Sequence, residues 1–282
     1  MDVWPIGVFT SIDAGLGVRL EVAHEIGVPT IQIHTPHKNS RTPEKAKSFL
    51  KQIADMGIQL TCVFGGFDGE SYADIPTVEK TVGLIPKETR QARLAEMKEI
   101  SDFASLLECN VIGLHLGFIP HSDAGKPYEQ ILNVTRELCQ HAENNGQNIH
   151  LETGQETAEG LVNFLDDAAC SNLFVNFDPA NMILYGTGEP IGALKLIGDR
   201  VRSVHCKDAK WADNPGKEWG EETPLGKGDV GIREYLTTLK EIGYRGPLTI
   251  EREIPQDPAR QKAEVVHAVD VLSGIRAELF PE

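Results

Sequence analysis

The sequence predicts one α/β domain in which eight parallel strands close into a barrel with helices outside it, the (β/α)₈ or TIM barrel. Three observations lead to this prediction. Short apolar runs alternate with amphipathic stretches, and eight such pairs fit into the 282 residues. Polar residues end many of the apolar runs instead of following only one of them. The length of a pair is about 35 residues, which agrees with a barrel of ~250 residues.

Eight strands and eight helices can be placed in order along the chain. The predicted strands are 6–10, 30–34, 58–64, 111–116, 148–152, 173–178, 201–205 and 247–251. The predicted helices are 16–27, 43–56, 87–108, 127–145, 157–169, 189–198, 230–243 and 258–279. Thr42 and Asp229 are typical residues for helix starts. Glycines suited to a left-handed helix end follow four of the helices, at Gly27, Gly57, Gly146 and Gly243.

An open, doubly wound sheet has the same alternation and is the structural alternative. Such a sheet collects its functional residues at one switch point, and in dinucleotide-binding folds a G-x-G-x-x-G motif follows the first strand. This chain has no such motif, so we expect a closed barrel. No Pro/Ser-rich linker interrupts the chain. One domain over residues 1–282 is therefore expected, although the length also allows two.

Composition and charge favour a globular protein that handles a small polar molecule. The chain is 40% hydrophobic and 24% charged. No apolar run reaches the ~18 residues of a membrane span, and the first residues lack the basic start of a signal peptide. The formal net charge is −15, which argues against a nucleic-acid partner because such partners require a basic surface. Five cysteines, an odd number, lie within apolar elements and indicate reduced core thiols and a cytoplasmic location.

Four residues that can bind a metal end four successive strands in the second half of the chain. They are Glu152, Asp178, His205 and Glu251. An unpaired buried carboxylate is unfavourable by several kcal/mol, so three carboxylates and an imidazole at one barrel end indicate a shared divalent cation. Solvent exposure explains one or two charged strand ends well, but four poorly. The oxygen-rich set favours Mn²⁺, with Mg²⁺, Co²⁺ or Zn²⁺ as alternatives.

The residues next to these four support a polar barrel interior. Alternate residues of a strand share a face. The residues two positions earlier are all polar: His150, Asn176, Ser203 and Thr249. The residues in between are all large and apolar: Leu151, Phe177, Val204 and Ile250. We therefore expect a second polar layer that orients the metal ligands, and an apolar outer face under the helices.

With these motifs the chain resembles the xylose isomerase-like TIM barrel superfamily. The segments His205-Cys206-Lys207-Asp208, GKGDVG at 226–231 and LKEIGYRGPLTIE at 239–251 resemble its sugar phosphate isomerase/epimerase branch. The resemblance covers essentially the whole chain. It implies a divalent-metal-dependent epimerase or isomerase of a sugar or sugar phosphate. In that reaction a proton next to a carbonyl is abstracted to give a metal-bound enediolate, and Glu152 and Glu251 form the acid/base pair.

The same resemblance leaves other functions open. A carbon–oxygen lyase or dehydratase of a keto-sugar or keto-inositol would use the same metal and base. A sugar-binding protein without turnover would keep the barrel alone. The superfamily's abasic-site endonucleases need a basic groove, which the net charge of −15 argues against. Ketose 3-epimerases usually have His and Arg at the positions that Asn181 and Trp211 occupy here.

Further residues are candidates for substrate contact because they end strands or lie near the ligands. They are His34, His115, Asn181 and Lys207. For the two histidines and Asn181 a structural role is the alternative, and for Lys207 it is neutralisation of negative charge near the site. Gly226-Lys227-Gly228 could hold a phosphate, although tight-turn glycines explain it more simply. Asp208 is expected in a turn or salt bridge, and Glu156 and Arg252 on a solvated face.

Aromatic residues are expected in the loops after strands three and seven: Phe64, Phe67, Trp211 and Trp219. They would wall the pocket or cover it against water. Exposed aromatic residues in long loops also suit a subunit contact, so a homo-oligomer stays open.

Overall fold

The computed structural model describes residues 3–281, and its centre is a closed barrel of eight parallel strands. The barrel strands are β1 (Ile6–Ser11), β2 (Thr30–His34), β3 (Gln59–Phe64), β4 (Val111–Leu114), β5 (Asn148–Glu152), β6 (Leu173–Phe177), β7 (Val201–Cys206) and β10 (Leu248–Ile250). Two further strands, β8 (Asp208–Lys210) and β9 (Glu221–Thr223), pair antiparallel outside the barrel. Because β10 pairs with both β7 and β1, the sheet closes and the predicted single (β/α)₈ domain is confirmed.

Helices surround the barrel or lie in the loops at its carboxyl end. They are α1 (Leu20–Ile26), α2 (Pro43–Asp55), α3 (Ile75–Thr81), α4 (Arg90–Leu106), α5 (Lys126–Asn144), α6 (Ala158–Ala168), α7 (Pro179–Tyr185), α8 (Pro190–Ile197), α9 (Ile232–Glu241) and α10 (Pro258–Leu279). Short 3₁₀ turns occupy Lys38–Ser40, Ser122–Ala124 and Gly198–Arg200. Among the described residues, no helix combines the length and the apolar character that crossing a membrane requires.

Three elements were not predicted, namely α3, α7 and the β8–β9 hairpin. All three lie in loops that follow barrel strands, and each is short. Helix α7 begins immediately after β6, since the side chain of Asp178 accepts hydrogen bonds from the backbone N–H groups of Ala180 and Asn181. Pro179 at the first helical position adds to this start signal. A seven-residue helix is too short to show a clear period in the sequence.

Local signals predicted most helix boundaries correctly. The Thr42 side chain caps α2 by accepting from the Lys45 N–H at 3.3 Å, as expected. The glycines expected at helix ends all have positive φ, between 68° and 80°: Gly27, Gly57, Gly146 and Gly243. The predicted cap at Asp229 is wrong. Helix α9 follows Gly231, and Asp229 instead accepts a hydrogen bond from the Trp211 N–H at 3.1 Å, because the long β7 loop folds back onto it.

The outer face of the barrel is apolar, as the strand alternation predicts. Phe177 is fully buried and stacks on Tyr235 of α9, with ring centroids 6.1 Å apart. The other three outward residues are at most 2% exposed: Leu151, Val204 and Ile250. Each buried side chain of this size contributes about 1.5–3 kcal/mol to stability. Cys206 is buried beside them, and all five cysteines are free thiols.

Candidate metal centre

The barrel brings the four strand-end residues together at the carboxyl ends of β5, β6, β7 and β10, which are neighbours in the sheet. We call Glu152, Asp178, His205 and Glu251 the acid–histidine cluster. Each offers one ligand atom, and these atoms all lie within 4.8 Å of one another. The first three are at most 3% exposed, and the Glu251 side chain is 15% exposed. Asp178 and Glu251 lie one residue beyond β6 and β10.

His205 lies at the centre of the cluster and presents one ring nitrogen to all three carboxylates. Its Nδ1 is 2.8 Å from Glu152 Oε1, 3.3 Å from Glu251 Oε2 and 3.7 Å from Asp178 Oδ2. The other nitrogen, Nε2, is 2.9 Å from the Oε1 of Gln32. A carbonyl oxygen only accepts hydrogen bonds, so Nε2 carries a hydrogen and Nδ1 is the nitrogen available to a cation.

Gln32 was missed in the sequence analysis. It lies on β2, opposite the strands that carry the cluster, and is 2% exposed. A signal was present, because Gln32 is a polar residue between Ile31 and Ile33 in a strand, and its neighbours face outward by alternation.

The cluster suits a divalent cation on its own geometry. Asp178 Oδ1 caps α7, whereas the buried Oδ2 accepts no hydrogen bond from any residue between 3 and 281. A buried carboxylate oxygen without a partner is unfavourable. Three carboxylates and an imidazole nitrogen around one point form a set that hard divalent cations bind. A cation at this point would satisfy Oδ2 and reduce the repulsion among the carboxylates.

Burial and neighbouring charges shift the pKa values of the metal-free cluster in different directions. Burial raises the pKa of Glu152 and that of Asp178. Burial acts against the charged form of His205, but Glu152 and Glu251 outweigh it and raise the histidine pKa well above its ordinary value. Burial would raise the pKa of Glu251, yet Lys207 and then His205 hold it well below the usual range. Glu251 is thus the carboxylate with the strongest cationic support.

A second polar layer lies below and beside the cluster. Asn176 donates to Glu152 Oε2 at 3.2 Å, and Asn181 donates to Glu152 Oε1 at the same distance. His150 and Ser203 hydrogen-bond to each other at 2.7 Å. Thr249, the fourth predicted member, is 1% exposed. The bonds from Asn176 and Asn181 fix the position of the Glu152 carboxylate, since each of its oxygens accepts a hydrogen bond from a side-chain amide.

Lys207 contacts the cluster directly. Its Nζ lies 3.1 Å from Glu251 Oε2, 3.4 Å from Asn181 Oδ1 and 3.8 Å from Glu222 Oε2, and the side chain is 5% exposed. Two of the four predicted substrate contacts, Asn181 and Lys207, therefore lie against the cluster. Their role with substrate remains a prediction.

Arg252 is a correction to the sequence analysis, which placed it on a solvated face. Its side chain is 12% exposed and binds Glu222 at 2.6 Å and Glu264 at 2.8 Å. Because Glu222 also lies near Lys207, a chain of alternating charges runs from α10 to the cluster. Local sequence could not show this, because Glu222 comes from the β8–β9 hairpin, 30 residues from Arg252.

His34 and His115 lie on other parts of the barrel mouth. His115 follows β4, and its Nδ1 is 3.2 Å from the side-chain nitrogen of Gln155. His34 ends β2 and hydrogen-bonds through Nδ1 to the Thr35 carbonyl at 2.8 Å. Its ring lies against Gly66, where a Cβ would come within 2.4 Å of Nε2. Burial lowers the pKa of His34.

The glycine-rich segment 226–230 is already occupied by a carboxylate of the chain itself. Asp208 Oδ2 accepts from the N–H groups of Gly226 and Gly228 at 2.8 and 2.9 Å, and Oδ1 accepts from Val230 at 3.2 Å. A phosphate would need the same N–H groups. The turn interpretation of Gly226-Lys227-Gly228 therefore agrees with the structure, and Asp208 is the residue that holds the turn.

The aromatic residues of the mouth differ in position from the prediction. Phe64 belongs to β3, not to the loop after it, and its ring centroid is 5.3 Å from that of His205. Phe67 is buried under Arg93. Trp219 packs against Tyr185 at 4.6 Å, and Trp211 is 37% exposed. Only Trp211 of the four points substantially into solvent.

Glu156 is half-buried and not on the solvated face that the sequence analysis expected. Burial raises the pKa of its carboxyl to about 8, although backbone N–H groups of Glu156 itself and Ile119 act in the opposite direction. In the unfolded chain this carboxyl titrates near its ordinary value of about 4.3.

This shift predicts a pH dependence of stability. Between about pH 4.5 and 8 the folded state binds the Glu156 proton and the unfolded state does not, so the free energy of unfolding falls as pH rises. We expect the wild type to lose roughly 1–3 kcal/mol relative to Glu156→Gln between pH 5 and pH 9, less than the full shift because burial is partial. Urea unfolding of both proteins at each pH measures this. Parallel losses in the two proteins would contradict it.

Comparison with known proteins places this chain in a family. The model of the xylose isomerase-like TIM barrel family matches residues 20–272. The chain belongs to this family. A crystal structure of a xylose isomerase domain protein from Planctomyces limnophilus is 59% identical, with a TM-score of 0.96 and coverage of 98% of this chain and 99% of that one. The uncharacterized protein MJ1311 of Methanocaldococcus jannaschii is 26% identical over 75% of this chain and 74% of its own length.

Some relatives of this chain carry enzyme names. The L-ribulose 3-epimerase of a Methylomonas species is 27% identical over 51% of this chain and 48% of its own length. The inosose dehydratase of Clostridium beijerinckii is 27% identical over 42% of this chain and 44% of its own length. Each match spans about half of the named enzyme. The relatives of this chain therefore include an epimerase and a dehydratase.

Proposed function

We propose that this protein is a divalent-metal-dependent epimerase or isomerase of a sugar or sugar phosphate. The observation that carries the proposal is the acid–histidine cluster, whose four ligand atoms lie within 4.8 Å of one another at the carboxyl end of the barrel. Enzymes of this fold have their active sites at that end. The relationship to an L-ribulose 3-epimerase supports a sugar as substrate.

Glu152 and Glu251 are the proposed acid/base pair. Their strands, β5 and β10, are separated by β6 and β7 in the barrel, so the two carboxylates approach the centre from different walls. A bound divalent cation would supply a Lewis acid that polarises the substrate carbonyl and acidifies the neighbouring C–H. One glutamate takes this proton, and the other delivers a proton to the opposite face.

The surrounding residues hold this pair in position. Asn176 and Asn181 fix the carboxylate of Glu152, and Lys207 fixes that of Glu251. The rings of Phe9 and Phe64 lie 5.7 and 5.3 Å from that of His205 and exclude water from one side of the cluster. Electrostatic interactions are stronger in such a site than in water. The oxygen-rich ligand set supports Mn²⁺ as the cation, with Mg²⁺, Co²⁺ and Zn²⁺ as alternatives.

A carbon–oxygen lyase acting on a keto-sugar or keto-inositol is the second candidate. The relationship to inosose dehydratases favours it, and so does Lys207, whose ammonium lies 3.1 Å from Glu251. An ammonium beside the base can donate a proton to a leaving hydroxyl. Both reactions begin with the same proton abstraction. They differ in the second step, which is either return of a proton to carbon or loss of the hydroxyl.

Incubation in D₂O with Mn²⁺ distinguishes the two functions. Free ketoses, sugar phosphates and keto-inositols are followed by NMR. Deuterium at one substrate carbon together with an epimer or isomer is the expected result. An eliminated product with loss of water would establish the lyase instead. Binding of sugar without any exchange or product would overturn both and leave a sugar-binding protein.

A further inference from the structure

A buried acceptor without a donor lies in the loop that follows β5, the strand that carries Glu152 of the acid–histidine cluster. Gln155 follows β5, three residues after Glu152, and is 4% exposed. Its side-chain nitrogen donates to the Tyr185 hydroxyl at 3.0 Å and lies 3.2 Å from His115 Nδ1. Its Oε1 is buried and accepts no hydrogen bond from the described part of the chain. Buried carbonyl oxygens normally have a donor, so this atom indicates a molecule that the chain itself does not supply.

The position of Gln155 places this acceptor at the barrel mouth. His115 directly follows β4, and Tyr185 ends α7, the helix that follows β6, so both residues lie on the carboxyl side of barrel strands. Gly154, directly before Gln155, allows the backbone to pass close to Asn181, since a Cβ at position 154 would come within 2.8 Å of Asn181 Cβ. Asn181 in turn donates to Glu152. The segment that carries the acceptor therefore packs against Asn181, a residue that contacts Glu152.

The groups around this acceptor are largely aromatic. Tyr72 is 44% exposed, and its ring centroid is 5.9 Å from that of His115. Tyr185 packs between Phe118 at 5.8 Å and Trp219 at 4.6 Å. A sugar hydroxyl can donate a hydrogen bond to an amide oxygen, and the apolar C–H face of a sugar can pack against an exposed aromatic ring. Gln155 and Tyr72 offer these two groups.

A phosphate matches this place poorly. Lys207, which lies against the cluster, is already paired with Glu251. The amide groups at 226–230 hold the Asp208 carboxylate. A negative group next to Gln155 would thus meet an acceptor oxygen, and Lys207, the cation of the neighbouring cluster, is already neutralised by Glu251.

We propose that Gln155 and Tyr72 form a subsite for the uncharged, hydroxylated part of a sugar, beyond the carbons that react. Gln155 Oε1 accepts a hydrogen bond from a sugar hydroxyl, and the Tyr72 ring packs against the sugar's C–H face. The assignment rests on the proposed function for the sugar itself, and it adds that the substrate carries no phosphate at this end.

Equilibrium binding tests the subsite without requiring turnover. Free D-psicose, D-tagatose, D-fructose and L-ribulose, with their phosphate esters, are titrated into the Mn²⁺-loaded protein by calorimetry. Gln155→Leu is expected to weaken binding of the best free sugar by about 10–100-fold, as loss of a hydrogen bond to a buried group does. Its Mn²⁺ affinity should stay within about twofold of wild type, since Gln155 does not touch the four ligands. The exposed Gln140→Leu is the matched control and should change neither affinity.

Substrate analogues and a second position make the test specific. The monodeoxy analogue that lacks the hydroxyl bound by Gln155 should bind the wild type weakly. The Gln155→Leu variant should bind this analogue with the same affinity as the wild type does. Tyr72→Ala should weaken sugar binding at least about fivefold, whereas Tyr72→Phe should not, because the ring and not the hydroxyl makes the contact. Tyr72 is exposed, so this arm decides the question even if Gln155→Leu fails to fold.

The binding and exchange measurements can fail independently, so they test the subsite and the proposed reaction separately. Wild-type sugar affinity in both Gln155→Leu and Tyr72→Ala overturns the subsite, even if deuterium exchange proceeds. A phosphate ester that binds more than tenfold tighter than its free sugar overturns the uncharged class. If the variants lose sugar affinity but wild type exchanges no proton, the subsite stands and the proposed reaction does not.

Discussion

Replacing either Glu152 or Glu251 by glutamine is expected to abolish net inversion of the substrate and leave the fold intact. Glutamine has nearly the same shape but cannot take or deliver a proton, and such catalysis contributes about 10²–10⁴-fold to rate. Glu152 ends β5 and Glu251 directly follows β10, and each of these strands pairs with a neighbour on both sides in the barrel. Circular dichroism and thermal unfolding report the fold, and NMR in D₂O reports inversion and exchange.

The two variants should differ in which epimer exchanges its substrate proton for deuterium. If the glutamates act on opposite faces of one carbon, each variant still exchanges the proton of the epimer that its remaining glutamate faces. Glu137→Gln is the control, because Glu137 is exposed and pairs with Lys98 on the surface. Wild-type rates of inversion in both Glu152→Gln and Glu251→Gln would falsify the acid/base assignment.

Asp178→Asn is expected to remove the stabilisation that a divalent cation gives to the protein. Asp178 has two separate roles, since Oδ1 caps α7 and Oδ2 faces the cluster without a hydrogen-bond partner among residues 3–281. Asparagine keeps a carbonyl oxygen for the cap but loses the charge. Wild type with Mn²⁺ at a hundredfold excess over Kd should gain about 2.7 kcal/mol, and the variant less than about 0.5 kcal/mol. Calorimetric unfolding with and without Mn²⁺ measures both.

The matched control for this prediction is Asp74→Asn. Asp74 caps α3 in the same way, accepting from the Thr77 N–H at 2.8 Å, but lies outside the cluster. This variant should keep the full increase of unfolding temperature with Mn²⁺. An undiminished increase in Asp178→Asn would show that the cation binds elsewhere or not at all.

The barrel was predictable because its signals are local. All eight predicted strands overlap the observed ones, and β2 and β5 agree at both ends. Each strand is a short apolar run bounded by turn residues, and each glycine at a helix end reports a left-handed conformation. The short helices α3 and α7 and the β8–β9 hairpin were missed because they are too short to repeat a pattern.

The candidate site was predictable only in part. The members of the acid–histidine cluster end strands, so strand periodicity alone indicates that they share the carboxyl end of the barrel. Gln155 and Arg252 carry no such signal. Gln155 lies in a loop, and its unpaired oxygen is visible only when all of its neighbours are known. Arg252 was placed in solvent because its partners Glu222 and Glu264 are distant in the chain.

The amino-acid sequence alone was sufficient for the closed barrel and for the identity of the four strand ends that carry cation-binding side chains. Both follow from periodicity within a few residues. Tertiary structure alone decided which nitrogen of His205 faces the carboxylates, because that depends on Gln32, 173 residues away. It also decided that Lys207 supports Glu251 and that Asp208 fills the glycine-rich turn. Hydrogen bonds require partners within about 3 Å, and only the folded chain sets such distances.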